Sequence, residues 1–237
     1  MVVDVGNTFS KVGIFKKKSL EAREVFDSPA ALKRFMLHTQ IDHLIISSVT
    51  LPPEEVASWS QSKGLKLVLD HTLGLPIQNR YSTPATLGLD RLAAACGAWL
   101  LYPNQECLVI DMGTCINYEY INEAGEYLGG AISPGVMMRF EAMHHFTSRL
   151  PLASPIDTSP LIGASTVSGL QSGVMNGILE EIKGVIFRYT KKCPGVHVIL
   201  CGGDAHFFEN HLKPSIFVAP DLVLMGLNSI LLHNVTA

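Results

Sequence analysis

The sequence predicts an α/β protein made of two similar halves, each holding a mixed β-sheet, that face each other across a cleft. The first observation is the order of elements, because three strands followed by alternating helices and strands occur twice along the chain. The second is a repeated strand and turn: Val3–Thr8 reads Val-Asp-Val-Gly-Asn-Thr, and Ile110–Thr114 reads Ile-Asp-Met-Gly-Thr. Such a repeat indicates duplicated halves, which we place at residues 1–104 and 105–237.

The composition fits a globular protein and excludes several other classes. Of 237 residues, 47% are hydrophobic and 16% are charged, which is enough to form a sizeable core and excludes intrinsic disorder. The net charge of −3 provides no polyelectrolyte surface, so nucleic acid is not an expected partner. The longest apolar stretch, Leu92–Tyr102, has about half of the ~20 residues that a membrane span needs. Without a basic leader and cleavage site, the sequence predicts a cytoplasmic protein.

The chain has five cysteines and no CxxC pair. Most of them have apolar neighbours, which predicts reduced thiols packed in the interior of a cytosolic protein. A reactive nucleophile is the alternative, although buried cysteines are usually inert.

The first half opens with short apolar or alternating segments that predict strands. Ser28 is a candidate N-cap with Pro29 at the first helical position, so a helix begins there and runs to about His38. The Ala-rich segment Leu87–Tyr102 predicts a closely packed helix, and Asp70–Pro84, which contains Gly and Pro, predicts a loop. The other predicted elements are the strands Met1–Val5, Lys11–Phe15, Glu21–Phe26, His43–Val49 and Leu65–Leu69 and the helix Pro52–Lys63.

The second half repeats this order. The buried segment Cys107–Met112 and the alternating segment Cys115–Ile121 predict two strands joined by a tight turn. A long helix is predicted over Ser165–Lys192, where glycines recur every four residues on one face, which indicates close packing within the chain or between subunits. Asp221 is the predicted cap of a last helix. The other predicted elements are the strands Glu126–Ser133, Val196–Cys201 and Ile216–Val218, a helix from Pro134 to about Ser148, and a turn at Gly202–Ala205.

The first repeated turn carries residue types that a phosphate site needs. Asp4 ends a buried strand, Gly6 lets a ligand approach the backbone, and Thr8 offers a hydroxyl to anionic oxygens. Lys11, on the returning strand, can extend over the turn as a point charge.

The second turn places Asp111 and Thr114 in equivalent positions. Two such turns facing each other can hold a triphosphate and Mg²⁺, because Mg²⁺ prefers one or two carboxylates together with phosphate oxygens and water. Ordinary hairpin turns, in which Gly, Asn and Asp supply the backbone angles, are the alternative. A third polar turn, Gly-Gly-Asp-Ala at 202–205, favours the phosphate interpretation.

The segment Gly88–Arg91 opens a predicted helix and carries a second candidate site. Asp90 can accept a proton from a substrate hydroxyl, while Arg91 and the free N–H groups of the first helical turn can hold an anionic group. A favourable helix-dipole charge or a surface Asp-Arg pair explains these residues equally well. The other helix start, Gly-Ala-Ser-Thr at 163–166, needs only a capping hydroxyl. The nine histidines form no HExxH or Cys/His spacing, so the sequence predicts no zinc site.

Seven short motifs occur in order along nearly the whole chain. They are Asp4–Thr8 with Lys11; Asn79–Tyr81 with Pro84 and Gly88–Arg91; Asp111–Thr114; Tyr127–Gly135; Arg149–Pro151; Gly163–Thr166; and Gly202–Ala205. Each is weak alone, but in this order they make the chain resemble the type III pantothenate kinases, a family in the superfamily of acetate and sugar kinases and actin. The resemblance implies a duplicated ribonuclease-H-like (actin-like ATPase) fold. It also implies ATP-dependent phosphorylation of pantothenate to 4'-phosphopantothenate, the first step of coenzyme A biosynthesis.

The resemblance further implies roles for individual residues. Asp90 would be the general base, Asp111 would hold a monovalent cation (K⁺ or NH₄⁺), and Asp4 would bind the Mg²⁺ of Mg-ATP. The implied ATP-binding residues are Asp4, Gly6, Asn7, Thr8, Lys11, Thr114, Gly202, Gly203 and Asp204. The implied pantothenate-binding residues are Tyr81, Gly88, Leu89, Asp90, Arg91 and Thr166. The family is homodimeric, so Thr166 is expected to act across the subunit interface.

The second turn departs from the family pattern Gly-Thr-Ala-x-Thr-x-Asp. Asn117 and Glu119 stand where that pattern has Thr and Asp. We expect this difference to affect cation preference and metal geometry more than activity. Two other functions stay open: a non-catalytic nucleotide-binding regulatory protein of the same fold, and a kinase for another small hydroxylated substrate.

Overall fold

The computed structural model describes residues 1–236, which form two compact units. Unit 1 comprises residues 1–104, 121–128 and 221–236, and unit 2 comprises residues 105–120 and 129–220. The units therefore interleave along the chain, because the segment 121–128 and the last helix belong with the N-terminal unit. Over residues 1–236, every helix is too short or too polar to cross a lipid bilayer.

Eleven strands and seven α-helices occur within residues 1–236. The strands are β1 (Val2–Val5), β2 (Ser10–Lys16), β3 (Ser19–Phe26), β4 (Leu44–Ser48), β5 (Lys66–Val68), β6 (Gln78–Asn79), β7 (Cys107–Met112), β8 (Cys115–Ile121), β9 (Glu126–Pro134), β10 (His197–Cys201) and β11 (Phe217–Val218). The helices are α1 (Pro29–His38), α2 (Pro53–Ser58), α3 (Leu89–Leu101), α4 (Val136–His145), α5 (Thr166–Lys192), α6 (Glu209–Leu212) and α7 (Leu222–Val235). Most bounds agree with the predicted ones to within two residues, and those of β7 and β8 are the same.

Unit 1 contains a five-stranded mixed sheet in the order β3-β2-β1-β4-β5. The central strand β1 runs antiparallel to β2 and parallel to β4. Val3, Val5 and Ile46 lie on one face of the sheet, where they pack with Leu32 and Met36 of α1 in a buried cluster. The predicted cap of α1 is confirmed, because the Ser28 side chain accepts a hydrogen bond from the Ala31 N–H at 3.4 Å.

Helices α3 and α7 of unit 1 pack directly against each other. A Cβ atom on Gly226 would lie 1.7 Å from the Ala93 carbonyl oxygen, and one on Gly97 would lie 2.4 Å from the Leu222 carbonyl oxygen. These two glycines let the helix backbones touch, which confirms the close packing predicted for the Ala-rich helix.

Unit 2 repeats the sheet of unit 1. The second sheet has the order β11-β10-β7-β8-β9-β6, and β10 runs parallel to both β7 and β11. From β9 to β11 its strands follow the order of β3, β2, β1, β4 and β5 in the first sheet. The sixth strand, β6, pairs with β9 at the edge and lies within the segment Asp70–Pro84 that was predicted as a loop. The repeat confirms the predicted duplicated ribonuclease-H-like fold. The inner face packs Ile110, Ile116 and Tyr118 against Ile178 and Ile182 of α5.

Two predicted helices have different bounds in the structure. The helix predicted over Pro52–Lys63 is wrong beyond Ser58, because Trp59 and Ser60 turn into the interior and the Lys66 ammonium donates to the Ser60 carbonyl at 2.5 Å. The helix predicted from Pro134 starts instead at Val136, since Pro134 still belongs to β9.

The predicted N-cap position of the last helix is confirmed, but the side chain there does not cap the helix. Asp221 stands at the N-cap position of α7, but its backbone angles (φ −104°, ψ 21°) leave its side chain without a capping hydrogen bond. Its carboxylate pairs instead with Arg23, whose Nε lies 2.6 Å from Oδ1. The helix runs from Leu222 to Val235.

All five cysteines are free thiols, and four of them are buried. Burial raises the pKa of Cys96, and it raises the pKa of Cys107 to about 12. Their thiols therefore stay protonated near neutral pH, as expected for packed side chains.

A partly buried polar cluster joins two helices and two strands of unit 2. We call Tyr118, Ser133, Arg139 and Glu181 the Arg139 cluster. The Tyr118 hydroxyl donates to Glu181 Oε1 at 2.8 Å, and Arg139 Nη2 donates to Glu181 Oε2 at 2.5 Å. Burial works to raise the pKa of Glu181, but hydrogen bonds from Arg139, Tyr118 and Ser133 outweigh it, so this pKa lies below its ordinary value.

We expect Glu181→Gln to remove a stabilisation that depends on pH. A carboxyl group whose pKa is lower in the folded protein contributes its full stabilisation above the unfolded pKa, about 4.3, and loses it as the pH falls through the folded value. The difference in free energy of unfolding between wild type and Glu181→Gln should therefore be constant above about pH 5 and shrink below it. Urea titrations across this range measure the difference, and a difference unchanged down to about pH 3 would contradict the prediction.

Candidate active site

The turn after β1 exposes polar groups beside a strand-end carboxylate. Asp4 is half-buried, pairs in register with Lys11 on β2, and is followed by the exposed residues Asn7 and Thr8. The Gly6 N–H donates to the Phe9 carbonyl at 3.1 Å, which closes the turn. A cavity of about 220 Å³ lies over it, lined also by residues 26–29 and by Thr50 and Leu51. The structure thus brings together the predicted residues Asp4, Gly6, Asn7, Thr8 and Lys11.

Ser47 is a residue at this place that sequence reasoning missed. It lies on β4 in register with Asp4 on β1, so both side chains leave the same face of the sheet. Only 1% of Ser47 is exposed, and its hydroxyl has no hydrogen-bond partner among the described residues. A serine next to the apolar run of β4 is the only signal in the sequence, and it becomes informative once β4 is known to pair with β1.

The start of α3 forms the second group in unit 1. Gly88 is the N-cap, and a Cβ atom there would lie 2.5 Å from Asp90 Oδ1, so glycine makes room for the carboxylate. Asp90 is half-buried, and its Oδ1 accepts a hydrogen bond from the Arg91 N–H at 2.9 Å. Leu89, the first helical residue, is half-buried between them. The carboxylate therefore sits at the N-terminus of the helix with a fixed orientation.

Arg91 and Tyr81 add a cationic and aromatic wall to this group. The Arg91 side chain is 6% exposed, and its guanidinium carbon lies 5.6 Å from the centroid of the Tyr81 ring. Tyr81 in turn stacks on Tyr127, with ring centroids 6.2 Å apart and an angle of 25° between the rings. Its N–H donates to Asn79 Oδ1 at 3.0 Å, which holds the start of the loop. These contacts bring the predicted residues Tyr81, Gly88, Leu89, Asp90 and Arg91 together.

In unit 2, the turn after β7 is held from two sides. Asp111, one residue before the end of β7, is half-buried and lies in register with Cys201 at the end of the parallel strand β10. The N–H of Gly135 donates to the Thr114 carbonyl at 3.1 Å. A Cβ atom on Gly202, which has a φ of +92°, would lie 2.3 Å from the Met112 carbonyl oxygen. The structure thus places the 202–204 loop directly against the turn after β7.

The remaining predicted residues of unit 2 have different surroundings. Burial raises the pKa of Asp204, and His206 lowers it only in part. Thr166 is the exposed first residue of α5, while Ser165 is the cap, accepting a hydrogen bond from the Ser168 N–H at 3.2 Å. Thr166 belongs to unit 2, whereas the other predicted pantothenate residues belong to unit 1.

Asn117 and Glu119 lie on the face of the unit 2 sheet opposite the one that packs against α5. The alternation along β8 sends Ile116 and Tyr118 into the core, so Asn117 and Glu119 leave the opposite face. Asp111 leaves this same face of the neighbouring strand β7, because Ile110 is also part of the core. Glu119 is fully buried and Asn117 half-buried.

Comparison with known proteins identifies similar sequences over the full chain. A sequence model of the type III pantothenate kinases matches residues 1–188. The type III pantothenate kinase of Christiangramia forsetii is 41% identical over 240 residues, covering 100% of this chain and 99% of that protein. The motifs discussed above therefore occur in a chain that is similar to such a kinase from end to end.

Solved structures show the same fold at low sequence identity. A protein described as a Baf family transcriptional activator from Campylobacter jejuni superposes with a TM-score of 0.66 at 21% identity, covering 100% of this chain and 99% of that one. A protein described as an N-acetylmannosamine kinase from Listeria monocytogenes superposes with a TM-score of 0.52 at 13% identity, covering 98% of each chain. At these identities the likeness concerns the fold alone.

Proposed function

Because the chain belongs to the type III pantothenate kinase family and phosphorylates pantothenate with ATP in the first step of coenzyme A biosynthesis, we propose that the residues gathered at its two strand-end turns and at the start of α3 carry this reaction. The observation that supports this most is the Asp90 carboxylate, which is held at a helix N-terminus beside the buried Arg91. A base and an anion-binding group thus lie next to each other.

Each unit carries its own set of proposed ATP-binding residues. In unit 1 the N–H groups of Asn7 and Thr8 and the Thr8 hydroxyl face anionic oxygens, Gly6 lets those oxygens approach the backbone, and the Lys11 ammonium neutralises charge. In unit 2 the Thr114 hydroxyl contacts the nucleotide. Gly202, Gly203 and Asp204 lie near the adenosine.

Pantothenate is bound at the start of α3. The Arg91 guanidinium and the free N–H groups of the first helical turn hold its carboxylate, while Gly88 and Leu89 contact it through the backbone and Tyr81 through its ring. Thr166 contributes a hydroxyl. This arrangement leaves Asp90 free to approach the primary hydroxyl of the substrate.

The transfer step needs one base and several cationic or N–H groups. The pantothenate hydroxyl oxygen forms a bond to the γ-phosphorus, and its proton passes to Asp90. The bond from that phosphorus to the β–γ bridging oxygen breaks, and ADP leaves. Phosphoryl transfer depends mainly on positioning and charge neutralisation, which the turns and Lys11 provide.

The carboxylate oxygens of Asp4 and Asp111 suit two different cations, Mg²⁺ at the first and K⁺ or NH₄⁺ at the second. Asp4 and Asp111 are single half-buried carboxylates at strand ends, and in residues 1–236 no three His, Cys, Asp or Glu side chains are grouped to hold a metal by themselves. Mg²⁺ prefers one or two carboxylates with phosphate oxygens and water, so Asp4 together with ATP meets its needs. Bound Mg²⁺ supplies neutralisation of the phosphate charge. Asp111 holds K⁺ or NH₄⁺, and Asn117 and Glu119 on the same sheet face tune the choice.

The protein is a cytoplasmic homodimer, and its evolutionary repeats are residues 1–104 and 105–237. Exposed apolar side chains of unit 2 support the dimer: Phe146, Leu161 and Ile162 are each more than 80% exposed, and exposed apolar surface commonly marks an interface. The glycine face of α5 adds to it, since a Cβ atom on Gly173 or Gly177 would meet nothing within 4 Å. We assign the close packing predicted for these glycines to a second subunit.

We expect Gly177→Arg to separate the dimer without unfolding the protein. The new side chain enters open space within one subunit, but in the dimer it would place a charged group in the interface. Light scattering after size exclusion should show the mass falling from two chains to one. Ala124→Arg, in an exposed turn, is the control and should stay dimeric. A wild-type monomer, or a Gly177→Arg dimer, would overturn the proposal.

A coupled assay of ADP release tests the proposed function. Turnover should require both pantothenate and Mg²⁺, and should rise when K⁺ or NH₄⁺ replaces Na⁺. A panel of other hydroxylated acids should give much lower rates. ADP release that is independent of pantothenate, or equal turnover with another acceptor, would contradict the proposal.

A further inference from the structure

Arg139 lies just after the junction of β9 and α4, and its guanidinium joins three groups. Nε donates to the Pro134 carbonyl at 2.9 Å, and Nη2 donates to Ser133 Oγ at 3.1 Å and to Glu181 Oε2 at 2.5 Å. Because the guanidinium is planar and rigid, these bonds fix the last residues of β9 relative to α5. Glu181 is itself held by the Tyr118 hydroxyl, so the anchor on α5 is tied to β8 as well.

The segment held by Arg139 touches the turn after β7. Gly135 follows Pro134 directly, and its N–H donates to the Thr114 carbonyl at 3.1 Å. A Cβ atom on Gly135 would lie 2.3 Å from the Thr114 carbonyl oxygen and 2.4 Å from that of Gly113. With both carbonyls against Gly135, a shift of residues 133–135 must move the turn.

We propose that Arg139 is a positioning residue for ATP, which acts by holding residues 133–135 so that Gly135 fixes the Gly113–Thr114 turn. The inference rests on the proposed contact of Thr114 with the nucleotide. Arg139 itself does not need to touch the substrate. Its partners Ser133 and Glu181 act with it, because they fix the direction of the guanidinium.

Arg139→Lys tests this role, because lysine keeps the charge but cannot reach all three partners with one ammonium. We expect the KM for ATP to rise roughly ten- to a hundredfold, since small misplacements of a binding group have effects of this size. The KM for pantothenate should stay unchanged, because Tyr81 and Gly88–Arg91 belong to unit 1 and Thr166, at the start of α5, is 15 residues from Glu181 along that helix. Glu181→Gln should act in the same direction. Glu180→Gln, which removes an exposed pair with Lys183 on the same helix, is the matched control and should change neither constant.

A double-mutant cycle with Thr114→Ala decides the route of the effect. If Arg139 acts through the turn, the fold-increase in the KM for ATP of the double variant should be well below the product of the two single fold-increases. Independent multiplication of the effects would overturn the inference. The inference would also be overturned if Arg139→Lys and Glu181→Gln both lowered the melting temperature and left the KM for ATP unchanged, while Thr114→Ala still raised that KM. If Thr114→Ala leaves the KM for ATP unchanged, the proposed role of Thr114 fails first and the inference falls with it.

Discussion

Replacing Asp90 with asparagine lowers kcat by roughly 10²–10⁴-fold and leaves the affinity for ATP unchanged, because the variant loses the group that accepts the hydroxyl proton. Asparagine has the same size, and its side-chain oxygen can still accept the hydrogen bond from the Arg91 N–H. The start of α3 therefore keeps its structure. Initial rates of ADP release give kcat, and isothermal titration with a non-hydrolysable ATP analogue gives the affinity.

The control for this variant is Glu54→Gln, which also changes an acidic residue in the first turn of a helix in unit 1. Glu54 is exposed and is outside the proposed site, so the kcat of Glu54→Gln should equal that of the wild type. If Asp90→Asn retains more than half of the wild-type kcat, Asp90 is not the base.

Gly226→Ala is expected to have the largest effect on stability. The new Cβ atom would lie 1.7 Å from the Ala93 carbonyl oxygen, so α3 and α7 must move apart. Overpacking of this kind costs about 3 kcal/mol or more when backbone has to shift. For a chain of this size, such a cost lowers the melting temperature by roughly 6–12 °C.

Gly184→Ala is the matched control, because a Cβ atom there meets nothing within 4 Å and the residue is likewise in a helix. Alanine is the better helix former, so this variant should gain about 0.5–1 kcal/mol. Thermal unfolding followed by circular dichroism compares the two. A Gly226→Ala protein that melts at the wild-type temperature would show that the two helices separate at little cost.

Local patterns in the sequence predicted most elements, because those patterns have local causes. The strands β7 and β8 have the predicted bounds since burial and alternation end where the turns begin. Ser28 caps α1 as predicted because its partner is three residues away. By contrast, Pro134 was predicted to begin a helix, but β9 continues through it, and Arg139 takes its carbonyl as an acceptor.

In the candidate site, too, the residues that could be predicted are those with a local signal in the sequence. Asp4, Asp111 and their turns were predictable because the repeated strand and turn is visible in the sequence. Ser47 was not, because its position beside Asp4 depends on the pairing of β1 with a strand some forty residues later. Asp221 was predicted as a cap, but a distant partner, Arg23, determines where its carboxylate lies.

The packing of α7 on α3 also bears on how the chain folds as it leaves the ribosome. Every segment of unit 2 has been synthesised by Pro220, whereas unit 1 still lacks the helix that covers Ala93 and Gly97. Domains usually fold during synthesis in order from the N-terminus. Here the later-made unit is complete first, and the nascent N-terminal unit must keep an apolar helix surface uncovered until α7 has been synthesised.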